Sequence, residues 1–133
     1  MKKVLIVEDQ FMSRQMMMQI LGAHFDKCHM AVNGREAVDA YVFSLDKQEP
    51  YDLICLDIMM PVLDGQEALK EIRKIEAERG IGGHDMVKVL MTTALDGPKH
   101  IMGAFMKGSC EDYLIKPIDQ EKLDNYLQKF GFK

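Results

Sequence analysis

Asp57 closes Leu53-Ile54-Cys55-Leu56, an aliphatic run that reads as a buried strand, and Ile58-Met59-Met60-Pro61 follows at once. A carboxylate at the edge of a core is costly unless a cation or hydrogen-bond donors face it. Three other sets of reactive side chains end apolar runs in the same way. Glu8 and Asp9 follow Val4-Leu5-Ile6-Val7, Thr92 and Thr93 follow Val89-Leu90-Met91, and Lys116 follows Tyr113-Leu114-Ile115. If these runs are neighbouring strands, three carboxylates crowd one rim, and their mutual repulsion raises their pKa values. A hard divalent cation offsets that repulsion, and an all-oxygen donor set suits Mg2+, which keeps several waters. Lys116 adds a point charge for an anion beside the cation, and the Thr93 hydroxyl can donate to the same anion. Cation, lysine and hydroxyl around a carboxylate are what a nucleophilic aspartate needs to accept a phosphoryl group. Each residue alone is an ordinary turn or surface residue; only their joint placement points to chemistry.

The elements that would position them alternate along the chain. Short apolar runs lie at 4–7, 28–32, 53–56, 87–91 and 113–115, each followed by a segment with apolar residues at helical spacing. The spacing predicts helices over 11–24, 35–46, 66–79, 99–107 and 120–130. Phe11, Met18, Leu21, Ala23 and Phe25 carry the apolar pattern of the first, and Leu123, Tyr126, Leu127 and Phe130 that of the last. Gly80 is a helix stop, 79–85 (RGIGGHD) a loop, and Asp119 an N-cap. Alternating strands and helices imply a doubly wound α/β fold, a parallel sheet with helices on both faces. In such sheets function gathers outside the carboxyl ends of the strands, near the topological switch point.

The bulk properties narrow the function classes. A chain of 133 residues fits one domain. The formal net charge of −4 leaves no electrostatic footprint for nucleic acid. No apolar run approaches the length of a membrane span, and Met1–Asp9 has too short an apolar stretch for a secretion signal, so the expected location is the cytoplasm. Cys28, Cys55 and Cys110 are scattered, with Cys55 reading as a small buried hydrophobe. The 12 methionines read first as flexible core filler.

Five stretches together, VLIVED (4–9), NGREA (33–37), DLICLDIMMPVLDG (52–65), VLMTTA (89–94) and DYLIKP (112–117), resemble the receiver domain of two-component response regulators over the whole length. The resemblance to these CheY-like domains implies a flavodoxin-like (βα)5 fold with strand order 2-1-3-4-5. It implies one receiver domain over 1–133 with no output domain. It makes Asp57 the residue phosphorylated by a histidine kinase or phosphotransfer protein, with Mg2+ as cofactor. Asp9 would hold the metal directly and Glu8 through water, with Asp57 and the Met59 carbonyl completing the protein ligands. Thr93, Ala94 and Lys116 would bind the phosphoryl oxygens. Thr93 and Tyr113 would form the switch, and Met59 and Leu95 would flank the water that removes the phosphoryl group. The expected output is a phosphorylation-driven change on the face of the fourth helix, fifth strand and fifth helix. An unidentified protein target would read it, with the chain a monomer or a phosphorylation-dependent dimer and no enzyme beyond its own phosphotransfer and dephosphorylation. A cis Lys116–Pro117 bond is expected on the same ground.

Three departures from the pattern cluster around the fourth helix: one extra residue between Thr93 and Lys116, Ser109-Cys110 in place of Gly-Ala, and the glycine-rich 81–85 loop. They bear on the partner and leave the chemistry alone. Rival readings remain at this stage. A phosphatase of the haloacid-dehalogenase type would want a second acid at position 59, where this chain has Met59, and a flavodoxin would want a phosphate loop where Glu8-Asp9 stands. A receiver fragment cut from a longer regulator is the third.

Overall fold

The computed structural model describes residues 2–93 and 110–132. Five parallel strands, β1 (Lys3–Val7), β2 (Lys27–Ala31), β3 (Leu53–Asp57), β4 (Lys88–Thr93) and β5 (Asp112–Ile115), form one sheet in the order β2-β1-β3-β4-β5. Four helices are described: α1 (Phe11–Gly22), α2 (Gly34–Asp46), α3 (Gly65–Glu78) and α4 (Gln120–Phe130). The helix expected over 99–107 lies outside the described residues. The loop expected over 79–85 contains one 3-10 turn, Gly83–Asp85. Among the described residues no helix is long and apolar enough to cross a membrane.

β1 and β3 are buried at every position and apolar but for Lys3 and Asp57 at their ends, and the pleat sorts successive side chains to opposite faces of the sheet. Leu5, Val7, Ile54 and Leu56 pack towards α2 and α3 with Tyr41, Leu69 and Ile72. Val4, Ile6, Leu53 and Cys55 pack the other way, against Met17, Leu21, Leu123 and Leu127 of α1 and α4. The odd–even alternation in two neighbouring strands thus builds two cores with one set of residues.

Asn33, Asp64 and Asp119 start α2, α3 and α4, each side chain accepting the backbone N–H three residues on (Glu36, Glu67 and Lys122). That satisfies donors the helix itself leaves unpaired. Gly80 follows the end of α3 at φ +72°, a conformation glycine adopts without penalty. The first helix departs from expectation. Phe11 and Ala23 are exposed, while Met18, Leu21 and Phe25 pack on the core as expected, joined by Met17 and Ile20. With three methionines in a row, several apolar stripes fit the sequence equally well, and only packing against Val4 and Ile6 selects one.

Candidate functional site: an acid cluster at the strand ends

β1 and β3 are adjacent, so the residues that follow them meet at one rim. The last residue of β3, Asp57, pairs in register with Thr92 and is 3% exposed. Glu8, immediately after β1, is fully buried, and Asp9 is exposed. One carboxylate oxygen from each of Glu8, Asp9 and Asp57 lies within 4.8 Å of the others. Three acids at such separation with an all-oxygen donor set fit a hard divalent cation.

Lys116 reaches this cluster from the end of β5. Its Nζ donates to Glu8 Oε2 at 2.8 Å, to Glu8 Oε1 at 3.0 Å and to Asp57 Oδ2 at 3.4 Å. Its backbone N–H donates to the Thr93 carbonyl at 2.7 Å, and the Lys116–Pro117 bond is cis, as expected. The electrostatics follow from burial. Burial pushes the Asp57 carboxyl up to about 7, the hydrogen bond and charge of Glu8 push the same way, and Lys116 opposes them. Burial lowers the Lys116 ammonium, but the Glu8 hydrogen bond and the Asp57 and Glu8 charges outweigh it and raise its pKa, so it stays cationic.

The loop after Asp57 is held by backbone contacts. Met59 N–H donates to Asp57 Oδ1 at 3.4 Å, Ile58 N–H to the Thr92 carbonyl at 3.0 Å, and Gly65 N–H to the Ile58 carbonyl at 2.9 Å. A Cβ on Gly65 would lie 2.1 Å from the Asp57 carbonyl oxygen, so only glycine lets α3 begin directly against the reactive strand. Asp64-Gly65, a mere turn signal in the sequence, is therefore part of the site's scaffold. The fixed distance between an isolated strand-end Asp and a following Asp-Gly is the signal that could have found it.

Glu8, Asp9, Asp57 and Lys116 converge. Met59 follows at the mouth with its side chain 60% exposed. Thr93 is buried at the end of β4. Tyr113 pairs in register with Met91 and Ile115 with Thr93. Tyr113 therefore shares a sheet face with Thr93, one pleat further from the rim. It is half-buried, and its carbonyl accepts from the Tyr126 hydroxyl at 3.0 Å. Ala94 and Leu95 lie outside the described residues. Arg14 was not singled out by sequence, yet its Nη1 donates to the Glu8 carbonyl at 2.9 Å.

A doubly wound sheet with acids at the ends of β1 and β3, a hydroxyl at the end of β4 and a lysine after β5 defines a class of signalling domain. The chain belongs to the response regulator receiver domain family, which it matches over residues 4–128. It is a CheY-like receiver domain of two-component signalling. It is 34% identical over 119 residues to chemotaxis protein CheY of Halobacterium salinarum, covering 90% of this chain and 88% of that protein. It is 35% identical over 122 residues to hybrid signal transduction histidine kinase I of Dictyostelium discoideum, covering 92% of this chain but 7% of the kinase. Against two further hybrid kinases of that organism the chain spans 4% and 5% of their length. Among solved structures it is similar to the receiver domain of the histidine kinase CKI1 from Arabidopsis thaliana complexed with Mg2+. The TM-score is 0.82 and the identity 26%, covering 96% of this chain and 90% of that one. The CheX–CheY–BeF3–Mg2+ complex from Borrelia burgdorferi gives a TM-score of 0.82 at 26% identity, covering 99% and 90%.

Proposed function

We propose that this domain accepts a phosphoryl group on Asp57 from a phosphohistidine of a histidine kinase or phosphotransfer protein, in a Mg2+-dependent reaction. The observation that carries this reading is an enclosed nucleophile, Asp57, 3% exposed, with its carboxylate grouped with those of Glu8 and Asp9 and 3.4 Å from Lys116. A carboxylate oxygen of Asp57 attacks phosphorus, the phosphorus–nitrogen bond of the donor breaks, and the histidine nitrogen leaves with its electron pair. Asp9, Asp57 and the Met59 carbonyl would hold the metal, with Glu8 acting through water; when bound, Mg2+ supplies Lewis-acid stabilisation of the phosphoryl charge. Lys116 neutralises the oxygens that remain, and Thr93 and Ala94 would complete the set that binds them.

A phosphoryl group brings about −1.5 to −2 charge and new acceptor oxygens to the rim. Thr93 is drawn towards it, and Tyr113, on the same sheet face, follows inward. The surface of β5, α4 and the segment between β4 and β5 then carries the signal to a protein partner. The domain catalyses only its own phosphorylation and dephosphorylation. In the CheX–CheY complex named above, a related receiver meets a protein partner in the presence of BeF3 and Mg2+, which supports a protein as the reader.

The test uses phosphoramidate, whose phosphorus–nitrogen bond matches that of the biological donor. Borohydride reduces an aspartyl phosphate to homoserine, and peptide sequencing by mass spectrometry locates it. Homoserine at position 57 supports the reading, and homoserine at another position or none at all contradicts it.

A further inference from the structure

We infer that Arg14 is a positioning residue for the cation site, holding the turn that carries Glu8 and Asp9. The inference rests on the metal reading above. Glu8 is fully buried, so both of its peptide groups require partners. Its N–H donates to the Ala31 carbonyl at 3.1 Å, and its carbonyl accepts from Arg14 Nη1 at 2.9 Å.

The start of α1 supplies a second, independent observation. α2, α3 and α4 each begin with a side-chain cap, whereas α1 begins at Gln10 with no side-chain cap and no acid in its first turn. The Gln10 N–H donates instead to Glu8 Oε1 at 3.3 Å, which draws on an oxygen the cation site needs. Arg14 secures the same turn through the Glu8 carbonyl without engaging the carboxylate. Its guanidinium also lies 5.6 Å from the Phe11 ring centre, a cation–π contact that fixes its outer side. Half-buried on the first turn and a half of α1, Arg14 links the helix directly to the strand end that carries both acids.

Charge and position make opposite predictions for this residue. A guanidinium bonded to the Glu8 carbonyl, on the turn that carries two of the acids, opposes a second cation, so on charge alone Arg14→Met tightens divalent binding. On position, losing the tie lets Glu8 and Asp9 diverge, and binding weakens. Partners of this outer kind typically alter metal affinity by about 10–100-fold.

Isothermal titration with MgCl2 on the full chain, beside thermal melts in EDTA, separates the two. Arg14→Met is expected to weaken Mg2+ binding by about tenfold or more. Arg14→Lys, which keeps the charge and one donor, should recover most of the affinity while remaining weaker than wild type. Equal or tighter binding by Arg14→Met overturns the inference. Should Arg14→Met melt too early to titrate, Arg14→Lys decides alone, since identical affinity to wild type overturns the inference and a reproducible loss supports it. Wild-type protein that binds no Mg2+ overturns the metal reading and this inference together, whereas a binding wild type with unaffected variants overturns this inference alone.

Discussion

Lys116 and Glu8 form a two-pronged ion pair, with Nζ 2.8 Å from Oε2 and 3.0 Å from Oε1, closer than its 3.4 Å approach to Asp57. The lysine is therefore held mainly by the fully buried acid of β1 rather than by the acid of β3. Removing one partner of a buried pair is costly because the other is left uncompensated. Lys116→Met should lower stability in EDTA by about 2–4 kcal/mol, with Mg2+ restoring part of the loss. Urea unfolding with and without Mg2+ measures this, and an unchanged midpoint in EDTA would contradict the pairing.

The raised Asp57 pKa has a consequence for stability against pH. A carboxyl whose folded pKa is about 7, above the ordinary 3.8, contributes stability present below the ordinary value and lost as pH rises through 7. In EDTA, Asp57→Asn should therefore match wild type near pH 4 and exceed it by about 1–3 kcal/mol at pH 8, since one pKa unit is about 1.4 kcal/mol. The difference between the two proteins cancels the titrating groups remote from Asp57, while Glu8 and Lys116 enter it through their coupling to that carboxyl. A gap that narrows as pH rises would show that burial and Glu8 do not dominate the environment of Asp57.

Much of this site was legible because strand ends can be read from apolar runs. Val4-Leu5-Ile6-Val7 and Leu53-Ile54-Cys55-Leu56 read as buried strands, and their adjacency in the sheet brings the acids behind them together. What the sequence hid were interactions set by packing. Glu76 reads as a surface acid in a charged helix, yet it is fully buried. It accepts from the Tyr41 hydroxyl at 2.7 Å, from Arg73 at 2.8 Å and from Val87 N–H at 2.8 Å. Its position four residues after Ile72 was the available clue, since an acid on an apolar stripe must find partners. Arg14 was hidden for a similar reason: its partner is a backbone carbonyl, which leaves no pattern in side-chain types. The face of α1 is legible only in part, at Met18, Leu21 and Phe25, because methionine fits several stripes.

The lifetime of the phosphorylated state should depend on Met59. Its exposed side chain stands two residues beyond Asp57, at the mouth of the site, and a thioether does not orient an attacking water as a carboxylate or amide does. Positioning of this kind is worth about 10²–10⁴-fold where a side chain supplies it. The aspartyl phosphate should persist for minutes or longer in Mg2+, and Met59→Asn combined with Leu95→Glu should shorten it. Decay followed by phosphate release checks this, and a wild-type half-life of seconds would contradict it.

The most direct test of the central claim is the intact mass of the protein after incubation with acetyl phosphate. With Mg2+ present, wild-type protein should gain one phosphoryl group, Asp57→Asn should gain none, and EDTA should abolish the gain in wild type. An adduct that persists in Asp57→Asn would contradict the acceptor, and one that forms equally well in EDTA would contradict the role assigned to Glu8 and Asp9 beside it.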